Sequence, residues 1–164
     1  MNISIFKSGS IFLLTPKSNE RLADVATNIT NDNWFEAEYW KDSQAIVGES
    51  KGRFTTWFVR APSNISDSIW VLRHYYRGGL VAKLSRDKFF YLGLAQTRVY
   101  KEINLLVKMR QLGLPVPAPV GGRVTKGWFN YQCDLLMEKL QARDLVAVLS
   151  KTGIDSASWY QIGI

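Results

Sequence analysis

The stretch WVLRHYYRGGLVAKLSRDKFFYLGLAQTRVYKE, residues 70–102, decides how the chain is read. Its first part belongs to a strand expected over residues 68–76. Alternation puts Trp70, Leu72 and His74 on one face and Ile69, Val71, Arg73 and Tyr75 on the other. Arg77-Gly78-Gly79 reads as a tight turn, and residues 80–84 as a short fourth strand. Val99, Ile103, Leu106, Val107 and Leu112 then recur at helical spacing, which predicts a helix over 97–112. Gly113 sits where a left-handed C-terminal cap belongs, and Pro115 forbids continuation. Glu102 flanks the apolar stripe, so it can reach a neighbouring strand. Its local alternative is Arg98, one turn earlier on the same helix.

The same stretch concentrates the charge. Residues 73–110 hold nine Lys or Arg (Arg73, Arg77, Lys83, Arg86, Lys88, Arg98, Lys101, Lys108, Arg110) and two acids, Asp87 and Glu102. That window carries the full net charge of +7 of the 164-residue chain, and the remainder is neutral. A local basic excess implies an anionic partner: a nucleotide, a nucleic acid, an anionic lipid or a phosphosugar.

Upstream, residues 45–47 and 55–59 read as two strands, with residues 48–54 (GESKGRF) as the turn between them. Gly48 and Gly52 in that turn can let backbone N–H groups approach a phosphate, although an ordinary hairpin has the same signature. Residues 34–40 place aromatics at 34, 35, 39 and 40, one face of a short helix capping the core. Residues 1–33 are weakly patterned and read as an N-terminal extension, with a short strand over 11–14. Downstream, 114–120 is extended by its alternating prolines, Gly121-Gly122 is a turn, and 123–125 and 129–136 form a hairpin. Asp144, and Asp155 or Ser156, are candidate caps of two further helices.

The composition excludes several classes. With 46% hydrophobic and 13% aromatic residues the chain has a packed core. A lone Cys133 forms no internal disulfide and fits a reducing compartment. No run approaches the roughly 20 apolar residues of a membrane span, and Lys7 to Ser10 interrupt the only candidate leader. Neither a P-loop nor a dinucleotide-binding glycine fingerprint occurs.

The order strand, glycine turn, strand, strand, helix with an internal Glu, two strands, then a linker resembles the N-terminal lobe of the protein-kinase-like fold. More narrowly, the chain resembles the bacterial 3-deoxy-D-manno-octulosonic acid (Kdo) kinases of lipopolysaccharide core assembly. The residues that carry this are Tyr39-Trp40, 48–59, the block VLRHYYRGGLVAKLSRD over 71–87, Thr97-Arg98, Glu102, the run GLPVPAP over 113–119, and 131–136. The resemblance implies an α+β fold: an antiparallel five-stranded sheet with one αC-like helix over 34–137, and over 138–164 an interlobe linker and the first helices of an incomplete C-lobe.

By resemblance, the activity is ATP-dependent phosphorylation of a Kdo hydroxyl, the 4-OH, on Kdo-lipid IVA, a lipid A precursor. Phosphoryl transfer is catalysed mainly by positioning and charge neutralisation. Gly48, Gly52 and Arg53 would cover the phosphates. A strand cation, Arg73 or Lys83, would grip them and be oriented by Glu102. Glu138 and Leu140 bracket the linker that would meet adenine. ATP and Mg2+ are the implied cofactors, and the implied location is cytoplasmic, peripheral on the cytoplasmic face of the inner membrane against its anionic inner leaflet. Nucleic acid is not an implied partner. The chain departs from the family at Phe54 and Tyr76, where a glycine and a second arginine are usual. It also contains no H-x-D catalytic loop, so catalytic Asp and metal ligands are expected in polypeptide beyond residue 164, and the 164 residues alone are expected to be inactive. The alternative reading is a non-catalytic basic module that binds anionic lipid or nucleic acid.

Overall fold

A computed structural model describes residues 3–17, 32–51, 55–77 and 87–141. Eight strands form one antiparallel sheet: β1 (Ile3–Ser8), β2 (Ile11–Pro16), β3 (Ile46–Lys51), β4 (Thr55–Arg60), β5 (Ile69–His74), β6 (Phe89–Phe90), β7 (Pro119–Lys126) and β8 (Asn130–Glu138). The strand order is β1-β2-β7-β8-β5-β4-β3, with β6 paired to β8. The described residues also hold two α-helices, α1 (Ala37–Asp42) and α2 (Arg98–Gln111), and two short 3-10 turns, Asp32–Phe35 and Leu94–Gln96.

The expected run of three strands and a helix followed by two strands is present, but the five-strand count is too low. The difference lies mainly at the N-terminus. Residues 3–16 form a hairpin whose second strand pairs with β7, from Ile11 opposite Thr125 to Leu14 opposite Gly122. Leu13 and Leu14 face opposite sides of the sheet and are both buried, so this hairpin is part of the core rather than an appendage. Two glycine turns are also corrected. Gly48 lies inside β3, beside a register shift, and not in the turn. Gly121 and Gly122 lie inside β7. The fourth strand expected over 80–84, the 52–54 part of the glycine turn, and the helices expected beyond Asp144 fall outside the described residues.

The sheet separates two apolar clusters, and strand alternation assigns side chains to each. On one face Trp70 and Leu72 of β5 and Leu136 of β8 pack with Trp34, Phe35 and Trp40 from the segment that ends in α1. Trp34 lies 5.5 Å from Trp70 between ring centroids, and Trp40 donates Nε1–H to the Trp34 carbonyl at 2.8 Å. On the other face Tyr75, Cys133 and Leu135 pack against Val99, Ile103 and Val107 of α2. Cys133 is fully buried, which pushes its thiol up to about 12 and leaves it a core residue.

Helix α2 is held at both ends. The Arg98 N–H, in the first turn, donates to Tyr131 Oη at 3.0 Å. At the C-terminus Gly113 has φ +77°, its N–H reaches the Arg110 carbonyl at 2.9 Å, and the Leu114 N–H reaches Met109 at 3.0 Å. This is a Schellman arrangement, and it supplies the left-handed cap that the sequence predicts at Gly113.

The helix approaches the sheet closely because Gly122 has no side chain. A Cβ there would stand 2.4 Å from Val99 Cγ2 and 2.9 Å from Ile103 Cδ1. Both neighbours are fully buried and β-branched, so neither can swing away. Gly122→Ala is therefore expected to lower stability by about 1–3 kcal/mol through overpacking, read from the urea midpoint. Adding Val99→Ala should recover part of that loss; no recovery would place the strain elsewhere.

Candidate functional site

Tyr75 follows β5, two residues beyond Arg73 on the same face, and both side chains reach α2. The Arg73 guanidinium donates from Nη2 to Glu102 Oε1 at 2.6 Å and to Tyr75 Oη at 3.1 Å. Tyr75 Oη in turn donates to Glu102 Oε2. Glu102 thus accepts from two groups, one on β5 and one just after it, 29 and 27 positions earlier in the chain. Burial disfavours charge on Arg73, but Tyr75 and Glu102 outweigh it and hold its pKa above the ordinary arginine value. Burial, followed by the adjacent Glu102 carboxylate, raises that of Tyr75. Both strand groups therefore stay protonated and donate to the carboxylate.

Arg73 is held on one side of its guanidinium. Both of these bonds use Nη2, while Nε is buried and has no hydrogen-bond partner among the described residues. A cavity of about 480 Å³ lined by Tyr75, Arg98, Lys101, Glu102, Leu105 and Leu106 opens beside the pair. The Arg73 side chain as a whole is 36% exposed, and a guanidinium fixed by Glu102 and Tyr75 in that way is chemically suited to an anion such as a phosphate. Among the described residues no group of three His, Cys, Asp or Glu side chains is placed to hold a metal.

The other expected site residues are more scattered. Gly48 is in β3, on the strand farthest from β1. Gly52, Arg53 and Lys83 fall outside the described residues. Glu138 ends β8, with its N–H on the Ala118 carbonyl at 2.8 Å, and the Lys139 N–H is on Ile69 at 2.8 Å. The N–H groups of Glu138 and Lys139 are thus engaged inside the sheet, and Leu140 lies exposed just beyond.

A larger cavity, of about 850 Å³, lies on the opposite face and is lined in part by Glu36, Trp57, His74, Tyr76, Arg123 and Asp134. Its charged groups are engaged with one another. Asp134 is 3% exposed and accepts from Arg123 Nε at 2.8 Å; its other oxygen is 2.6 Å from His74 Nδ1. Arg123 Nη1 donates to Glu36 at 2.5 Å. His74 Nε2 is 3.3 Å from Asp87, which also accepts from Gln132 Nε2 at 2.5 Å. Burial lowers the His74 pKa, but hydrogen bonds and charge from Asp134 and Asp87 together raise it above 6.5. With Arg123 and Asp134 nearly buried, the cluster serves to satisfy a buried acid, and the more exposed Arg73–Glu102 pair is the better candidate for a ligand.

Sequence reasoning missed this cluster and the part played by Tyr75. The available signal was Asp134 itself, an acid followed by Leu135 and Leu136 in an apolar strand, which demands a buried partner. Both partners stand directly across from it, Arg123 on β7 and His74 on β5.

An antiparallel sheet with an inner strand that presents a cation to a glutamate on the longest helix among the described residues is the class of an N-terminal kinase-like lobe. The sequence comparisons narrow the class to a family. Residues 37–164 match the model of the lipopolysaccharide kinase (Kdo/WaaP) family, and the chain belongs to that family. It is 42% identical over 134 residues to a 3-deoxy-D-manno-octulosonic acid kinase of Mannheimia succiniciproducens, covering 80% of this chain and 55% of the relative. A Haemophilus influenzae protein of the same name is 38% identical over 147 residues, 88% of this chain and 58% of the relative. One from Vibrio parahaemolyticus is 39% identical over 130 residues, 79% of this chain and 53% of the relative. The chain spans about half the length of the curated relatives it matches. No solved structure matches it significantly.

Proposed function

We propose that this chain is the nucleotide-gripping half of an ATP-dependent kinase that phosphorylates a Kdo hydroxyl, the 4-OH, on Kdo-lipid IVA. The observation that carries the reading is the Arg73–Glu102–Tyr75 arrangement, which fixes a partly exposed guanidinium. When bound, ATP supplies the transferable phosphoryl group. Arg73 would hold its α/β-phosphates, and Glu102 and Tyr75 would keep the guanidinium from turning away. Arg at this position, where kinases generally carry Lys, offers two parallel N–H bonds to one phosphate instead of a point charge. Gly48, Gly52 and Arg53 are assigned to the phosphate cover and residues 138–140 to adenine. Mg2+ ligands and the catalytic carboxylate are assigned to polypeptide beyond these 164 residues, so the chain alone should transfer nothing. The place of action is the cytoplasmic face of the inner membrane. The basic excess supports this, because surface Lys and Arg are attracted to an anionic leaflet by about 1 kcal/mol each. No helix among the described residues is long and apolar enough to cross a membrane.

The test is a chimera joining this chain to the C-terminal half of a curated Kdo kinase relative, assayed for phosphate transfer from ATP to a Kdo acceptor. Transfer by the chimera and none by either half supports the reading. A folded, inactive chimera counts against it.

A further inference from the structure

One corner of the sheet is built in a way that the kinase reading does not use. The turn between β7 and β8 is closed by the Gly127 N–H on the Asn130 carbonyl at 2.7 Å, which leaves Trp128 and Phe129 as its two tip residues. Such two-residue tips favour Gly, Asn and Asp, whose backbones suit the turn. Here they are large aromatics, 90% and 73% exposed. Strand β6 and the residues that follow it bring two more apolar side chains beside them. Phe90 pairs with Asn130, and the Tyr91 N–H bonds the Phe129 carbonyl at 3.0 Å, so the register places Leu92 opposite Trp128. Phe90 is 74% exposed and Leu92 80%, whereas the neighbouring Phe89 and Tyr131 are buried. The core thus takes one set of aromatics, and a second set is left projecting from a single corner.

The rim of that corner is basic. The Arg77 guanidinium lies 5.7 Å from the Phe90 ring centroid, Lys126 Nζ lies 5.0 Å from that of Tyr91, and Lys88 is exposed beside Phe89. The only acid in residues 87–101 is Asp87, which is turned inward onto His74 and Gln132. Residues 123–131 contain none. Exposed Trp, Phe and Leu ringed by Lys and Arg match a lipid–water interface, where apolar groups enter the acyl boundary and cations meet phosphates. Charge complementarity selects an anionic lipid over a neutral one.

We propose that the corner formed by residues 88–92 and 126–129 seats in the headgroup layer of an anionic phospholipid bilayer. The inference rests on the membrane location in the proposed function and specifies the surface that makes the contact. It does not require that this chain bind ATP.

The test is co-sedimentation of the 164-residue chain with vesicles of phosphatidylcholine, with and without phosphatidylglycerol. Wild type should sediment only with the anionic vesicles. Trp128→Ser/Phe129→Ser, and separately Phe90→Ser/Leu92→Ser, should each weaken binding about tenfold or more with unchanged circular dichroism. Vesicles with brominated acyl chains should quench wild-type fluorescence but not that of Trp128→Phe. If wild type ignores anionic vesicles, the membrane location fails and the inference with it. If wild type binds and both double variants bind equally well, the location stands and this corner is not the contact. A fall in oligomer size on substitution, without loss of vesicle binding, would reassign the patch to contacts between copies of the chain.

Discussion

Arg73→Ala in the chimeric kinase is expected to lower Kdo phosphorylation by about 10²–10³-fold, the usual cost of removing one preorganised donor from a site of developing charge. Glu102→Ala should approach the same loss, because without the carboxylate the guanidinium has only Tyr75 to hold it. Lys108→Ala, on an exposed position of the same helix, should leave activity near wild type. Arg73→Lys tests the geometry separately, since it keeps the charge and loses the fork. Stability should barely register these changes. The two side chains of the pair are 36% and 31% exposed, so solvent screening limits its worth to about 1 kcal/mol or less. A large drop in kcat/KM with an unchanged urea midpoint therefore marks a functional pair. Equal activity in Arg73→Ala, Glu102→Ala and Lys108→Ala would sink it.

The reverse pattern is expected on the other face. Asp134→Ala should cost about 3–5 kcal/mol, because it leaves the partly buried Arg123 and His74 charges without their shared partner. Asp134→Asn, which keeps the shape and one acceptor, should cost less. The cluster also fixes a pH dependence. The His74 pKa is raised above its unfolded value of 6.5, so folding favours the protonated ring. That stabilisation is fully present below about pH 6.5 and is lost as pH rises through the folded value. The wild-type urea midpoint should therefore decline on going from mildly acidic to mildly alkaline buffer. His74→Gln, which cannot titrate, should flatten that slope. A slope unaffected by the substitution would assign the pH dependence to another group.

These two faces differ in how far they could be read in advance. Helix α2 was legible because its signals are local: an apolar stripe at 3.6 spacing, then Gly113 and Pro115 to end it. The alternation along β5 correctly sent Arg73 and Tyr75 one way and Trp70, Leu72 and His74 the other. The pairing of strands was harder. Ile11 to Leu14 read as a strand, but nothing in 1–33 says that its partner is β7, more than a hundred residues later. Gly121-Gly122 read as a turn because two adjacent glycines usually make one. The use of Gly122 inside β7 depends on Val99 and Ile103 arriving from α2, and a linear pattern cannot show that approach.

What could be read locally was the three strands before α2 and the hairpin after it, the two faces of β5, the ends of α2 and the concentration of charge in residues 73–110. Each follows from periodicity, backbone preference or composition, which act between near neighbours. Only the tertiary structure decided that Glu102 reaches Arg73 on the strand, where Arg98 on its own helix was the local alternative. Only it showed Asp134 placed between two cations, and Trp128 and Phe129 beside Phe90 and Leu92 at one exposed corner. Those are contacts between segments far apart in the chain, fixed by sheet register and helix packing.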